Sequence, residues 1–267
     1  MHYGQPLEFV TLGRNLNKGR CPVESLLIPL VALTAFFLKG VTGTGTTTVI
    51  VALGSLFLDP KLTIVLASFI NIFGGLAMVR IDPLPLSRRY WIPVSLCMVG
   101  GSVAGAMALK LIPNQWFQLV LGVAFLLTAF WFLFRAPVPR VEAEVPQEAT
   151  GLDLGIGGFA GFCGGFIGIN APPLILHFGR FLDKRYLRRL LVLIFIPAAM
   201  AQTATFAVNG LLDRQIMAWG LMVLPAMIVG IWLGNRTFHR ISERLFRRIL
   251  GTFLVFVSVR LILRYFA

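Results

Sequence analysis

Apolar segments long enough to cross a lipid bilayer recur along this chain, and they restrict its fold more than any other feature. Of its 267 residues, 57% are apolar, and the mean hydropathy is +0.82. A helix needs about 20 apolar residues to span the hydrocarbon core. Stretches near that length lie at 62–79, 92–111, 116–134, 190–208, 216–233 and 249–263. Because lipid offers backbone groups no hydrogen bonds, the pattern predicts an all-α integral membrane protein.

Two glycine-rich breaks interrupt apolar sequence at corresponding places in the two halves of the chain. The first reads KGVTGTGTTT over residues 39–48, and the second reads GGFIGINAPP over residues 164–173. Glycine and proline destabilise a helix interior and release backbone groups that lipid cannot satisfy. Helices broken at matching positions of two repeats are typical of transporter substrate sites. The two breaks therefore indicate a membrane transporter.

The formal net charge of +13 comes from basic residues in the polar ends and in short loops between apolar segments. Loop clusters occur at 80–89, 184–189 and 244–248. Cytoplasmic loops of membrane proteins carry such an excess of Lys and Arg, which also contacts anionic lipids. We expect a multi-pass protein of the cell (plasma or inner) membrane, with lipids as partners and no nucleic-acid partner. The polar N-terminal residues show no signal peptide.

A polar stretch containing several prolines separates two halves that resemble each other. Residues 57–59 and 181–183 both read Phe-Leu-Asp, and glycines at 101 and 105 correspond to glycines at 230 and 234. An internal duplication is therefore indicated. The division gives four parts: a polar N-terminal segment (1–25), a first membrane repeat (26–134), a linker (135–150) and a second membrane repeat (151–267).

Equivalent loops of the two halves carry different charge, which indicates that the repeats are inverted. The basic loop at 80–89 corresponds to a nearly neutral loop around Arg214. The basic loops at 180–189 and 236–248 correspond to first-half loops with few charges. Opposite charge bias means that the two repeats face opposite sides of the membrane. Each repeat then has a broken, re-entrant helix followed by about three transmembrane helices, because four full crossings would preserve the orientation.

Residues after each break are suited to begin a half-helix inside the membrane. Asn170 is a favourable N-cap, and Pro172 lies near N1, where a missing N–H costs nothing. Threonines 46–48 are candidate caps of the first half-helix. The N–H groups and positive dipole end of a half-helix attract an anion, and hydroxyl groups add uncharged donors. Two converging ends would form a central anion site; tight glycine packing alone is the competing explanation.

We assign the substrate site to polar or small residues in and near both breaks: Gly43, Thr44, Gly45, Thr46, Thr47, Asn71, Gly165, Gly168, Asn170, Pro172 and Gln202. Lys39 is either a lysine whose amine reaches the membrane interface or an anion-attracting group. For Asn71, substrate contact and bonding between helices are equally open. For His177 we also consider a proton relay. We expect no catalytic residue, no metal site and no cofactor, since the histidines are scattered and no Walker A motif occurs.

At these residues the chain resembles the sulfite exporter TauE/SafE family. The family motif GxTGFGxxLVxVPLL is similar to GVTGTGTTTV at 40–49, and GGxxGIGGPPLxL is similar to GGFIGINAPPLIL at 164–176. Asn170 and Ala171 stand where glycines are common, and Ala52 stands near a usual proline. The resemblance runs from about residue 26 to 263. It implies two related membrane modules and the export or uptake of small anions such as sulfite or sulfoacetate.

These patterns favour a secondary transporter, in our interpretation an exporter, for a small sulfur oxyanion or organosulfonate. The anion would bind between two half-helix N-termini near mid-membrane, and the two repeats would alternate its access. Protons are a candidate coupling ion, and a homo-oligomer stays open. The alternatives are a passive anion channel that uses the same site and a non-transporting membrane scaffold. Nothing in the sequence indicates an enzyme.

Overall fold

A computed structural model describes residues 22–42, 44–79, 84–134, 146–237 and 243–266 of the protein. Within these ranges all regular structure is α-helical, which confirms the predicted fold class. The eleven helices, numbered in chain order, are α1 (Pro22–Thr42), α2 (Thr46–Gly54), α3 (Pro60–Met78), α4 (Arg88–Leu111), α5 (Asn114–Phe134), α6 (Gly151–Ile167), α7 (Ala171–Phe178), α8 (Lys184–Val208), α9 (Arg214–Met222), α10 (Leu224–Thr237) and α11 (Glu243–Phe266). Gly43, residues 1–21 of the N-terminal segment and residues 135–145 of the linker lie outside the described residues.

Several of these helices are long and apolar enough to span a membrane. Among the described residues, α3, α4, α5 and α8 qualify singly, and α9 with α10 qualifies as a pair bent by 43°. Pro225 in the first turn of α10 lacks the N–H that would continue the α9 ladder, which divides the predicted segment 216–233. Large apolar side chains such as Leu96, Leu127 and Phe130 are exposed on the outer faces. The protein is therefore a multi-pass membrane protein.

Both predicted breaks are present, and each separates a longer helix from a short one. α1 gives way to α2 through Gly45 (φ 82°), and α6 gives way to α7 through Gly168 (φ 73°). Both glycines adopt the left-handed conformation, in which a Cβ is disfavoured. The chain can therefore end one helix and begin the next within a few residues.

Both short helices turn back toward the start of the helix that precedes them. In the first half, Ile28 near the start of α1 and Leu58 just after α2 line one apolar groove. In the second half, His177 in the last turn of α7 contacts Asp153 in the first turn of α6. Each break is thus the tip of a helical hairpin: α1–α2 in the first half and α6–α7 in the second.

The helix after each hairpin begins with the same capping device. Asp59 accepts hydrogen bonds from the N–H groups of Lys61 and Leu62 at the start of α3, at 2.8 and 3.4 Å. Asp183 accepts one from the N–H of Tyr186 at the start of α8, at 2.7 Å. A carboxylate at an N-cap satisfies free N–H groups and stabilises the positive helix end. α3 and α8 are therefore structural counterparts.

The contacts between helices repeat from one half to the other. α4 packs against α6, and their counterparts α10 and α1 pack together in the same way. A Cβ added to Gly157 would contact the Val94 carbonyl, and one added to Gly165 would contact the Ser102 carbonyl. The contact positions advance in the same direction along both helices, so α4 and α6 run parallel. Gly230 approaches Leu33 and Gly234 approaches Phe37, so α1 and α10 also run parallel.

Counterpart helices also meet each other directly, and they run antiparallel. Between α3 and α8, Gly75 lies against Ile196, and Arg189 Nη1 donates to the Val79 carbonyl at 2.5 Å. Between α5 and α11, a Cβ on Gly122 would meet Ile262, and one on Gly251 would meet Leu133. A two-fold axis in the membrane plane produces this geometry. The packing supports the inverted orientation, which stays a prediction.

Candidate functional site

The tips of the two hairpins border one cavity between the halves of the protein. The cavity encloses about 450 Å³, its open mouth included. It is lined by Lys39, Thr44, Gly45, Thr46, Thr47, Ser68, Asn71, Met98, Ser102, Gly161, Gly164, Asn170, Phe195, Ala198, Ala199 and Gln202. Most of the predicted site residues therefore lie together, although they come from four segments of the sequence.

Of the predicted site residues that the structure describes, three lie outside the cavity lining. Gly165 packs against α4, where a Cβ would contact the Ser102 carbonyl. Gly168 faces the side chains of Val51 and Thr47, and Pro172 lies within the first turn of α7. The structure therefore gives both glycines a packing or turn-forming position. Gly43 is outside the described residues.

A chain of three side chains runs along the first-repeat side of the cavity. Lys39 Nζ donates to Asn71 Oδ1 at 2.7 Å, and Asn71 Nδ2 donates to Thr47 Oγ1 at 2.8 Å. An ammonium can only donate, so the Asn71 amide must turn its oxygen toward Lys39 and its nitrogen toward Thr47. The Thr47 hydroxyl accepts that bond, which leaves its own hydrogen free to donate to a bound anion.

Lys39 is a buried lysine whose amine contacts uncharged side chains. Its exposure is 3%, and its amine lies 5.6 Å from the Phe36 ring centroid. Among the described residues the ion pairs join Arg89 to Glu148 and His177 to Asp153, so no carboxylate pairs with Lys39. Its amine therefore does not extend to the interface but points at Asn71 on the cavity wall. A buried charge is costly unless it is paired, and the negative end of the α1 dipole compensates only in part.

The N-terminus of α2 presents backbone donors at the cavity. Gly45 is its N-cap, so the prediction that threonine side chains cap this helix is wrong. Thr46, Thr47 and Thr48 occupy the first turn, where N–H groups have no partner within the helix. The Thr46 hydroxyl is buried without a hydrogen-bond partner among the described residues, and Thr48 Oγ1 donates to the Gly168 carbonyl at 3.2 Å. The first break is thus rich in donors and is joined to the second break.

The N-terminus of α7 differs, although it was predicted to act in the same way. Asn170 is the N-cap residue, but its side chain makes no capping hydrogen bond, which corrects the sequence-based expectation. Pro172 and Pro173 follow in the first turn and carry no N–H group. Only Ala171 therefore offers a first-turn N–H there. The two half-helix ends are unequal, and most donors lie on the first-repeat side.

Sequence reasoning missed several lining residues. Ser68 lies one helical turn before Asn71, so the helical period could have identified it. Met98, Phe195, Ala198 and Ala199 are apolar and resemble any lipid-facing residue in the sequence. Gln202 was predicted, and its Nε2 donates to the Gly164 carbonyl at 3.3 Å. The cavity therefore has a polar first-repeat wall and a mainly apolar wall from α4 and α8.

Comparison with known proteins identifies one family. The family model described as Sulfite exporter TauE/SafE matches residues 28–261, which include the tips of both hairpins and every residue of the cavity lining. No curated protein and no solved structure matches the chain.

Proposed function

Since the chain belongs to the sulfite exporter TauE/SafE family, a family of membrane transporters of sulfite-type anions, we propose that it is a secondary exporter of a small sulfur oxyanion or organosulfonate. Sulfite and sulfoacetate are the substrates that we consider first. The substrate binds in the cavity between the hairpin tips. The protein acts in the cell (plasma or inner) membrane, surrounded by lipids.

The observation that carries this proposal is the unpaired Lys39 at a cavity lined with donors. The ammonium supplies one positive charge, while the Thr47 hydroxyl and the α2 N–H groups supply uncharged donors. Such a site satisfies an oxyanion at several atoms without binding it irreversibly. Hydrogen bonds to charged groups contribute about 1.5–3 kcal/mol each, which suits a substrate that must also be released.

The duplicated packing supports an alternating-access cycle. The parallel pairs α4–α6 and α1–α10 join each hairpin to a helix of the other repeat, through glycines that permit close backbone contact. Each hairpin then moves with its partner helix as a unit. Rocking of these units opens the cavity first to one side of the membrane and then to the other. The anion stays at the hairpin tips throughout.

Flux in proteoliposomes tests the proposal. The purified protein is reconstituted, and uptake of labelled sulfite, sulfoacetate, thiosulfate, sulfate and chloride is measured with and without a pH difference. Saturable uptake of a sulfur anion, accelerated when the same unlabelled anion is inside, is the expected result. Unsaturable conduction indicates a passive channel, and no flux from folded protein favours the scaffold alternative; both results contradict the proposal.

Substitution of Lys39 tests the site itself. Lys39→Gln should raise the KM of the transported anion roughly 10- to 100-fold, because a charge-assisted contact worth about 1.5–3 kcal/mol is lost. Lys61→Gln is the matched control, since Lys61 is equally buried but donates to the Ile112 carbonyl outside the cavity. Equal KM values for the two variants would contradict the assignment of Lys39.

A further inference from the structure

A second buried polar cluster lies at the far end of the α6–α7 hairpin, away from the cavity. Asp153 in the first turn of α6 is 4% exposed, and its Oδ1 lies 2.5 Å from His177 Nε2. Asp153 precedes the lining residue Gly161 by about 12 Å along the helix axis. Ionisable side chains inside a membrane protein are costly and commonly mark ion or proton pathways. The function proposed above makes no use of this pair.

Hydrogen bonds occupy both carboxylate oxygens of Asp153. Thr150 donates to Asp153 Oδ2 through its backbone N–H at 2.8 Å and through its hydroxyl at 2.9 Å. These bonds occupy Oδ2 of the carboxylate. The contact on Oδ1 occupies Nε2 of His177, and Nδ1 is the ring nitrogen outside that contact. The imidazole side chain is 16% exposed, which leaves it accessible to protons.

Other charged groups do not balance the pair. From α4, Tyr90 lies close to Asp153 and packs edge-on against Phe178, and its buried hydroxyl has no hydrogen-bond partner in the part of the chain that the structure describes. Within the described residues, the ion pair that each of Asp153 and His177 forms is with the other. The pair is therefore negative when His177 is neutral and uncharged overall when His177 is protonated.

The first hairpin indicates that this fold does not require an ion pair to close. The equivalent caps Asp59 and Asp183 give the offset in residue number between the two repeats. With this offset, the first-repeat counterparts of Asp153 and His177 are Pro29 and Leu53. The first hairpin closes instead through an apolar groove lined by residues such as Ile28, Ala32, Ile50 and Leu58. The ionisable pair is thus an addition to the second hairpin.

We propose that Asp153 and His177 bind the proton that drives anion transport, an inference that rests on the proposed transport function. Protonation strengthens the link between the ends of the hairpin. α7 is eight residues long and begins beside Asn170 on the cavity wall, so its position couples the pair to the anion site. Proton binding therefore shifts the population between the positions of the hairpin, which couples proton movement to anion movement.

Proton movement with sulfoacetate tests this inference. Both acidic groups of sulfoacetate are ionised near neutral pH, so a transported proton must be carried by the protein. Proteoliposomes contain a pH-sensitive dye, and valinomycin with equal potassium holds the membrane potential at zero. For one proton per anion, a pH difference of about one unit should drive roughly tenfold accumulation by the wild type. Asp153→Asn and His177→Gln should retain sulfoacetate exchange but lose both accumulation and proton movement.

Asp183→Asn is the matched control, because asparagine retains an N-cap acceptor and Asp183 has no histidine partner. This variant should accumulate sulfoacetate as the wild type does. The inference is overturned if Asp153→Asn and His177→Gln still couple protons to sulfoacetate as the wild type does. It is also overturned if the wild-type protein exchanges sulfoacetate without moving protons. Loss of exchange in variants that remain monodisperse also overturns it, since the pair would then serve anion movement itself. If the wild-type protein does not exchange sulfoacetate, the proposed function fails together with the inference.

Discussion

Lys39 and Asn71, which carry the charge and the hydrogen-bond relay of the cavity, have no polar counterparts in the second repeat. With the offset in residue number between Asp59 and Asp183, the counterparts of Lys39 and Asn71 are Cys163 and Phe195. Phe195 lines the same cavity. The duplicated hairpins therefore form a site with one polar wall and one mainly apolar wall. We therefore expect an anion with an oxyanion group and a short apolar part, such as sulfoacetate, to bind more tightly than a symmetric ion.

Replacement of Asn71 by aspartate tests the relay at the residue scale. Asn71→Asp places a carboxylate 2.7 Å from Lys39 and removes the N–H donor to Thr47. The internal ion pair would compete with the substrate, so the KM for anion exchange should rise roughly 10- to 100-fold. Initial rates over a range of sulfoacetate concentrations measure this change.

Asn209→Asp is the control for this change. Asn209 Oδ1 accepts from Lys110 Nζ at 3.2 Å, which is the same type of contact, but on an exposed part of the molecule. An exposed ion pair contributes little, so this variant should retain the wild-type KM. A wild-type KM in Asn71→Asp would exclude the relay from substrate binding.

At the scale of helices, glycines determine how closely the segments approach. Along α6, Gly157, Gly161 and Gly165 face α4 at intervals of about one turn, and each contacts α4 backbone atoms. Without side chains between them, two helices gain dispersion contacts that lipid cannot replace. Gly165, predicted as a substrate contact, therefore lies where the structure needs close packing.

Two alanine substitutions on α6 should change stability in opposite directions. In Gly165→Ala the new Cβ would overlap the Ser102 carbonyl, so we expect a loss of about 1–3 kcal/mol. In Gly155→Ala the Cβ would meet no atom within 4 Å, and alanine should add about 0.5–1 kcal/mol of helix stability. Thermal unfolding in detergent compares the variants. A higher midpoint for Gly165→Ala than for Gly155→Ala would contradict this packing.

At the scale of the whole molecule, the helix directions form one consistent topology. α4 and α6 run parallel, α1 and α10 run parallel, and the counterparts α3 and α8 run antiparallel. The starts of α4, α6 and α8 then share one side of the membrane, where many of the basic residues lie. The positive-inside rule predicts that this side is cytoplasmic.

Cysteine labelling in intact cells tests this topology. The native Cys21, Cys97 and Cys163 are first replaced by serine. Glu148→Cys lies beside Arg89 near the starts of α4 and α6, and Lys110→Cys lies at the end of α4. A membrane-impermeant maleimide should label Lys110→Cys in intact cells and Glu148→Cys only after permeabilisation. Labelling of both from outside would contradict the proposed helix directions.

The sequence alone determined the features that act within a single segment. Hydropathy identified the membrane helices, glycine and proline located both breaks, and the matching Phe-Leu-Asp sequences at 57–59 and 181–183 marked equivalent places in the two halves. These predictions succeed because burial in lipid and backbone conformation depend on neighbouring residues. The Thr44–Thr47 segment was assigned to the site for the same reason, since it directly follows a break.

The tertiary structure decided which distant side chains meet. Lys39 joins Asn71 because α1 and α3 pack with those faces together, and Asp153 meets His177 only because α7 returns along α6. Gly165 and Pro172 lie outside the cavity lining because their helices turn them away from it. The direction of a side chain around a helix, and the neighbour that it then contacts, depend on packing between segments far apart in the sequence.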